Sequence, residues 1–512
     1  MLVRVPSARF PAWAGIYAED LKIFLPQALH KPWHLLVPNN GYIELVPRLI
    51  AQFATYLPLR DAAAVFAITG ALITTGCALF IFHVSSGHVR SPMLRFVLAL
   101  AVVLLPVALI EIADSGVDAP WYLVFALFWA VLWRPKTPAG MAGAAAIAFF
   151  TAASTTMSVV FAPLLLARVI AFPRLREHAV TAGWAVGCLL QLPYVVSNLA
   201  SVHSRAGHPA SPGLALAFYG HDVVLPALGW HLAWWLQSAA GRNGATMIIG
   251  AILAIFFLWA LITQRGRVRM FVVASLMTGF LYTVFGATLS SNLTVLKVTQ
   301  DAEHGSRYTT LPIFLISSAA IVVVDSFIRD RQVRLQTVAA VTALVGVLSV
   351  GWVTDFRYNG FRSNDATYWP PIATAWLHAC ERKPDGVIYE RAGSQVRKPI
   401  PCASLRRLGL TWITLEHAAL LYAVVGAGHI AGLDARAVQV VEEIVVPDHD
   451  GERLVVVDMR GRPGVQGRDG AGRDHGRQGV RAAVHAILVG AVGQDEVGVA
   501  VPGVIPVRLG LE

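Results

Sequence analysis

Residues 62–83, "AAAVFAITGALITTGCALFIFH", decide the fold class. This stretch of 22 residues contains no Asp, Glu, Lys or Arg. A helix rises about 1.5 Å per residue, so the stretch reaches roughly 33 Å, enough to cross a hydrocarbon layer of about 30 Å. It therefore predicts a transmembrane helix.

The rest of the chain has the same character. Of 512 residues, 56% are hydrophobic and only 14% are charged, and the mean hydropathy is +0.59. Soluble domains carry about 25% charged residues. Because backbone groups in lipid must pair within their own segment, the sequence predicts an all-α, polytopic membrane protein with about 10 transmembrane helices. The apolar segments are 62–83, 96–113, 119–133, 138–155, 157–171, 179–197, 244–263, 270–290, 310–326 and 337–354.

Basic residues predict the orientation. The net charge is +10, but Lys and Arg fall in short clusters between apolar segments, so we exclude nucleic acid as a partner. Loops rich in Lys and Arg stay in the cytoplasm. Five connections between apolar segments carry such clusters, and they can all be cytoplasmic only if the Trp-rich residues 221–241 lie at the outer interface and do not cross the membrane. The bacterial inner (plasma) membrane is the expected location, with residues 1–61, 291–309 and everything after about 355 outside the cytoplasm. The basic residues are Arg90, Arg95, Arg134, Lys136, Arg168, Arg174, Arg176, Arg265, Arg267, Arg269, Arg329, Arg331 and Arg334.

The expected organisation has four parts. Residues 1–61 form an external loop with amphipathic helices, 62–354 the transmembrane domain, and 355–404 a small extracytoplasmic region. Residues 405–512 contain no Lys, and from residue 423 onward no Phe, Trp or Tyr, which favours a low-complexity or disordered extension. The alternative is a small β-rich domain built on residues 437–461, whose Val-rich runs flank an Asp-Gly turn.

An adjacent acid pair, Glu19 and Asp20, lies in "AGIYAEDLKIFLPQA", residues 14–28. Apolar residues follow it at helical spacing, which predicts a membrane-surface helix that begins with two carboxylates. Carboxylates there can take a proton from a hydroxyl group, or hold a divalent cation such as Mg²⁺ or Mn²⁺ against a phosphate. The alternative interpretation is a pair of solvated loop charges.

A second polar cluster, "DAEHGSRYTTLPIF", occupies residues 301–314. The planar guanidinium of Arg307 suits a lipid phosphate, since it pairs two oxygens and stays charged. Tyr308 and His304 lie beside it, and Lys297 is a further candidate for the same external cavity. The alternative is an ordinary interfacial anchor. His221 and Asp222 are weaker candidates for this cavity, and Arg48, in an amphipathic stretch, is predicted near the lipid headgroups.

The four cysteines divide by location. Cys77 and Cys188 fall inside apolar segments, where small buried side chains are expected. Cys380 and Cys402 lie in the external region, where an oxidising environment favours a disulfide between them.

Together these features resemble the polytopic glycosyltransferases of the GT-C superfamily. More narrowly, "EDLKIFL" at 19–25 and "GYIELVPRL" at 41–49 are similar to EDGxxFL and GYLHLVPRL motifs of uncharacterised bacterial multi-pass membrane proteins. Those proteins also end in a W…C…PC pattern, which Trp376, Cys380 and Cys402 match. Leu21 departs from the motif, which has Gly there. The relatives carry a transmembrane helix ahead of the acid loop, so we expect one upstream of this start.

The resemblance implies sugar transfer from a polyprenyl-phosphate donor to an envelope glycan, lipid or protein acceptor on the extracytoplasmic face. Asp20 is then the base, Glu19 orients it or shares a cation, and Arg307 and Tyr308 hold the donor phosphate. Membrane lipid is the other expected partner. The alternatives are a transporter or flippase for a lipid-linked saccharide, and a non-catalytic membrane protein. A transporter places charges or broken helices near the midplane, often in repeated halves. This sequence shows no internal repeat and almost no charge in the middle of its apolar segments, which favours the enzyme.

Overall fold

The computed structural model describes residues 12–17, 19–39, 41–105, 116–172, 174–205, 212–289, 306–329, 346, 367–388, 391–392, 395–396, 400–405, 439–445 and 454–460. The chain divides into two compact units, residues 1–409 and 410–512. The first unit contains all the described helices.

Helices dominate the first unit. They are α1 (Leu25–His30), α2 (Leu45–Ala54), α3 (Ala62–Val84), α4 (Pro92–Leu104), α5 (Ala119–Leu132), α6 (Pro138–Ala152), α7 (Ala162–Ala171), α8 (Ala179–Arg205), α9 (Pro212–Phe218), α10 (Trp230–Thr263), α11 (Arg267–Leu289), α12 (Ser306–Arg329) and α13 (Trp369–Arg382). Two π-helical turns, Asp20–Phe24 and Tyr219–Val224, and several 3₁₀ turns connect them.

Five described helices are long and apolar enough to cross a membrane. They lie within Leu59–Gly87, Ala179–Ser197, Leu232–Thr263, Arg267–Gly286 and Arg307–Ile328. Their outer faces expose large apolar side chains: Leu72 is 65% exposed, Ile255 69% and Met270 68%. Such contiguous apolar surface suits lipid. The all-α membrane character is confirmed; the count of about 10 spans stays a prediction, because 337–354 except residue 346, and the end of 96–113, lie outside the described residues.

Helix α10 has 34 residues, which would reach about 51 Å if straight. Gly241 breaks it with a φ of +70°, a conformation that glycine adopts without steric cost. The part after the break, residues 242–263, reaches about 33 Å, the length of one span. Residues 230–240 form the separate first part, so the break falls at the end of the segment predicted to lie at the interface.

Small residues bring α6 and α8 into close contact. A Cβ on Gly187 would lie 2.7 Å from the Phe149 carbonyl oxygen, and one on Gly183 would lie closer still to the Ala145 carbonyl oxygen. Gly183 and Gly187 form a GxxxG spacing, which lets two helix backbones approach in lipid. This approach matters for the site, because Gln191 lies one turn further along α8.

Residues near the two ends of the first unit share a buried core. Strand β1 (Gly15–Ile16) pairs antiparallel with β2 (Thr367–Tyr368), and the Trp369 indole donates to the Leu59 carbonyl at 2.7 Å. The predicted disulfide between Cys380 and Cys402 is confirmed, with the Cα atoms 5.2 Å apart. Region 367–405 therefore packs against the segment that carries the acid pair.

The remaining strands are short. In the first unit β3 (Val387–Ile388) pairs with β6 (Ile400–Pro401), and β4 (Arg391–Ala392) with β5 (Gln395–Val396). In the second unit β7 (Gln439–Val445) pairs antiparallel with β8 (Leu454–Arg460). Strands β7 and β8 are the two Val-rich runs from which the alternative prediction built a small β-rich domain. The other residues after 405 lie outside the described residues, and their predicted disorder stays a prediction.

Several basic connections meet at one end of the helices. Asp325, near the end of α12, accepts hydrogen bonds from the backbone N–H groups of Arg90 and Ser91 at 3.0 and 2.8 Å. Arg134 pairs with Glu177 at 3.1 Å. The connections before α4, α6 and α8 therefore belong to this end, called here the basic end. Its predicted cytoplasmic location stays a prediction.

Candidate functional site

Asp20 is the first residue of the π-helical turn Asp20–Phe24 and is only 1% exposed. Its Oδ2 accepts a hydrogen bond from the backbone N–H of Gly116 at 3.2 Å. The interpretation of Asp20 as a solvated loop charge is therefore wrong. Burial of a carboxylate is costly unless donors such as the Gly116 N–H group bind it. Single π-helical turns often occur at functional sites.

Gly116 is needed for this approach. A Cβ there would clash with the edge of the Phe66 ring and would lie 3.3 Å from the Asp20 carboxylate. Phe66 is itself buried, with 2% exposure, so it has little room to move. The absence of a side chain at Gly116 thus lets the chain before α5 close over Asp20.

Glu19 is half-buried at the start of the same turn. Its Oε2 atom is buried and has no hydrogen-bond partner among the described residues. Its negative charge contributes to the raised pKa of Glu44, so the two carboxylates lie within electrostatic range. The acid pair is thus joined by a third carboxylate.

Glu44 precedes α2 and is 8% exposed. Burial raises its pKa to about 7, and the Glu19 charge adds to the rise, although hydrogen bonds from Asn39 and Tyr42 and the Arg48 charge oppose it. The Asn39 amide donates to Glu44 Oε2 at 2.8 Å. Glu44 was missed by sequence reasoning, because nothing in "GYIELVPRL" distinguishes it from a surface acid.

Tyr42 connects the carboxylates to Arg307. Burial raises the pKa of Tyr42 well above its usual value; Glu44 and Tyr308 add to the rise, and Arg307 opposes it. Tyr42 therefore lies within electrostatic range of both Glu44 and Arg307, two residues that are far apart in sequence. We call Glu19, Asp20, Tyr42, Glu44 and Arg307 the carboxylate–arginine cluster.

Packing fixes the arginine side of this cluster. The Arg307 guanidinium carbon lies 5.7 Å from the centroid of its neighbour Tyr308. Tyr308 meets Trp121 edge to face at 5.7 Å, and a Cβ on Gly286 would lie 2.9 Å from the Tyr308 ring. The ring is therefore held between the start of α5 and the end of α11, next to the guanidinium.

The segment that carries Tyr42 and Glu44 is anchored by Gln191. The Gln191 amide accepts from Ile43 N–H and donates to the Ile43 carbonyl, both at 2.7 Å. The next backbone groups, Leu45 N–H and Val46 N–H, donate to Ala153 and Ser154. The GxxxG spacing of α8 is the sequence signal that could have indicated this anchor.

Arg48 is not on an exposed helix surface: it is 4% exposed and its Nη1 donates to Gln27 Oε1 at 2.7 Å. Its predicted position near the lipid headgroups stays a prediction. Its burial follows from α2 packing its Arg48 face against Phe24, whose ring centroid lies 5.5 Å from the guanidinium.

The weaker candidates are paired elsewhere: His221 with Thr246 at 3.0 Å, and Asp222 with Arg242 at 3.4 Å.

Two predicted phosphate ligands, Lys297 and His304, lie outside the described residues. Among the residues that are described, no group of three or more His, Cys, Asp or Glu side chains is arranged to hold a metal ion. Glu19 and Asp20 as cation ligands, and Mg²⁺ or Mn²⁺ as a cofactor, stay predictions. No protein-family profile, curated protein or solved structure matches this chain.

Proposed function

We propose that the protein is a membrane glycosyltransferase that moves a sugar from a polyprenyl-phosphate donor to an envelope glycan, lipid or protein acceptor. The observation that carries this proposal is the carboxylate–arginine cluster, in which buried acids and a cation from distant segments meet beside an apolar helical bundle. Sugar transfer needs a base for the acceptor and a cation for the departing phosphate. The cluster contains both groups.

The proposed reaction is a displacement at the anomeric carbon. The acceptor hydroxyl oxygen attacks that carbon, its proton passes to the Asp20 carboxylate, and the bond between carbon and phosphate oxygen breaks. The polyprenyl phosphate leaves with the bonding electron pair. Arg307 stabilises the negative charge that forms on it, since a guanidinium fork pairs two phosphate oxygens.

The other cluster members set the charge around the donor. Three ionised carboxylates would repel a phosphate, but the pKa of about 7 for Glu44 keeps that carboxyl partly protonated near neutral pH. Glu19 orients the acceptor or Asp20. Tyr308 holds Arg307 beside the bilayer, where a lipid-linked donor arrives.

The same proposal includes a GT-C-like architecture in the bacterial inner membrane, with about 10 spans and the cluster on the extracytoplasmic face. The basic end, opposite in the bundle, then lies in the cytoplasm. Glu19 and Asp20 would hold a divalent cation, which would supply positive charge to the departing phosphate. Chelation of divalent cations should lower transfer if the cation is required.

Comparison of cells with and without the gene tests the proposal. We expect the deletion strain to accumulate one polyprenyl-phosphate sugar and to lose one sugar from an envelope glycan. Accumulation of an intact lipid-linked oligosaccharide on the cytoplasmic leaflet would instead support a flippase. Unchanged glycans and unchanged lipid-linked sugars would support neither and would refute transfer.

A further inference from the structure

A pocket lies between the π-helical turn, α1, α2 and the loop that follows α1. Its polar lining residues are all cationic or amide: Gln27, Lys31, His34, Arg48 and Gln52. Phe24, Ala28 and Leu35 complete the lining, so none of the described residues that line this pocket is a carboxylate. Such a lining favours an anion.

Arg48 supplies the strongest donor of this pocket. It is 96% removed from solvent, given its 4% exposure, and Gln27 occupies only its Nη1. The Nε and Nη2 atoms are buried and have no hydrogen-bond partner among the described residues. Buried guanidinium donors without acceptors are costly, so they indicate a ligand that accepts from them.

The mouth of the pocket is exposed and aromatic. Lys31 and His34 are exposed, and between them Trp33 is 62% exposed with a φ of +64°, an uncommon backbone conformation for a bulky residue. The Gln52 side chain holds this turn, accepting from Trp33 N–H at 2.7 Å. The rings of Trp33 and Tyr56 lie 6.3 Å apart. Exposed Trp and Tyr are typical of a membrane interface.

We infer that this pocket is a phosphate-binding site, separate from the Arg307 site, in which Arg48 binds a phosphate mono- or diester and Lys31 and His34 attract it. A guanidinium with two free donors suits two phosphate oxygens, and the planar fork distinguishes Arg48 from a lysine. The phosphate belongs either to a lipid headgroup or to a soluble phosphorylated molecule.

This site goes beyond the proposed function, since binding needs neither a sugar donor nor Asp20. Arg48 lies one helical turn after Glu44, and its charge lowers the pKa of Glu44. A phosphate bound to Arg48 would partly neutralise the guanidinium charge and would therefore change the electrostatic environment of Glu44. The pocket and the cluster are linked through this pair of residues.

The test uses the full chain purified in an uncharged detergent. Dioleoyl phosphatidic acid is titrated against phosphatidylcholine, and inorganic phosphate against chloride at equal ionic strength, with thermal unfolding and native mass spectrometry as readouts. We expect saturable binding of at least one phosphate probe. Binding of phosphatidic acid alone identifies a lipid headgroup; equal binding of inorganic phosphate identifies a soluble phosphate.

The Arg48→Lys variant keeps the charge but loses the fork, so we expect affinity to fall about tenfold or more. Arg134→Lys, at the basic end, is the matched control and should bind as wild type. If Arg48→Lys does not purify as a folded protein, the exposed double variant Lys31→Gln/His34→Gln replaces it, with an expected loss of about threefold to tenfold. Absence of saturable binding, or wild-type affinity in the pocket variant, would overturn the site whether or not sugar transfer is found.

Discussion

Two regions of the first unit bury charged side chains in different ways. At the basic end, Arg168 is 4% exposed, and each of its three guanidinium nitrogens donates to a backbone carbonyl of Val131, Trp133 or Glu177. Asp325 is 3% exposed and both of its oxygens accept backbone N–H groups. Around the carboxylate–arginine cluster, Glu19 and Arg48 keep buried polar atoms that no described residue satisfies. Arg95 Nε and His178 Nδ1 at the basic end also lack a described partner, so the contrast applies to Arg168 and Asp325 and not to every side chain of that end.

This difference separates a structural use of buried charge from a chemical one. A charge whose hydrogen bonds are all made by backbone groups closes loops over helix ends, and it has no capacity left for a ligand. A cluster with several like charges, a raised pKa and unmet hydrogen bonds is destabilising on its own and suits a bound substrate. Variants at the two regions should therefore affect different properties.

Apart from loss of the Asp20 base, the largest effect is expected at Arg307. Removing its charge in Arg307→Gln should lower sugar transfer about 10²- to 10³-fold, the usual cost of losing one group that stabilises developing negative charge. Arg134→Gln is the matched control, since Arg134 also stacks on a ring, Phe172, at 4.2 Å but lies at the basic end. Its transfer should stay at the wild-type level. Equal losses of sugar transfer in Arg307→Gln and Arg134→Gln would mean that the cluster and the basic end do not differ in function.

Arg168→Gln should act on stability instead. It leaves the carbonyls of Val131, Trp133 and Glu177 without their donor. Each buried group that loses its hydrogen bond costs about 1–3 kcal/mol, so the thermal midpoint and the yield should fall clearly. Transfer per folded molecule should not change. A selective loss of transfer in a stable Arg168→Gln protein would contradict the structural assignment.

Glu44 gives a pH-dependent prediction. Its pKa is raised from 4.5 to about 7 on folding, so the folded state holds its proton more tightly. Protonated Glu44 therefore favours the folded state. Its contribution to the free energy of unfolding, measured relative to ionised Glu44, is complete below pH 4.5 and is lost as the pH rises to about 7. Glu44→Gln should therefore be more stable than wild type above pH 7, by up to about 3 kcal/mol, and equal to it below pH 4.5. Thermal unfolding across this pH range measures it; a constant difference at all pH values would refute the raised pKa.

Gly116→Ala should have a smaller effect, about 1–3 kcal/mol of destabilisation, because its new methyl group meets Phe66 and Asp20. Gly143→Ala, in α6, is the control: a Cβ there contacts nothing within 4 Å, so stability should be unchanged or slightly improved. Thermal unfolding of both proteins provides the measurement. Equal midpoints would mean that the chain before α5 does not close on Asp20 as described.

Sequence reasoning was strongest where the signal is local. Lipid imposes long uncharged segments, so the residues around 62–83 indicate a helix without any tertiary information. The disulfide needed only two cysteines in one region that is predicted to be external. Asp20 and Arg307 stood out because charges are rare in this chain.

The remaining features depend on contacts between distant segments. Glu44 and Tyr42 join the cluster because Gln191, 148 positions away, holds Ile43. Arg48 is buried because α2 packs on Phe24 and Gln27, whereas its own helix is amphipathic enough to suggest a surface position. Such pairings have no signature within one segment, and only the GxxxG spacing on α8, which our sequence analysis did not use, could have indicated one of them.

The most direct test compares Asp20→Asn with Asp325→Asn, two isosteric changes of buried carboxylates that accept backbone N–H groups in the two regions. Each variant is expressed in the deletion strain, and transfer to the envelope glycan is measured per folded molecule. Loss of a general base should lower transfer by about 10²- to 10⁴-fold in Asp20→Asn, with normal insertion. Asp325→Asn should lower the thermal midpoint and leave transfer per folded molecule unchanged. Full transfer by a well-inserted Asp20→Asn protein would contradict the account.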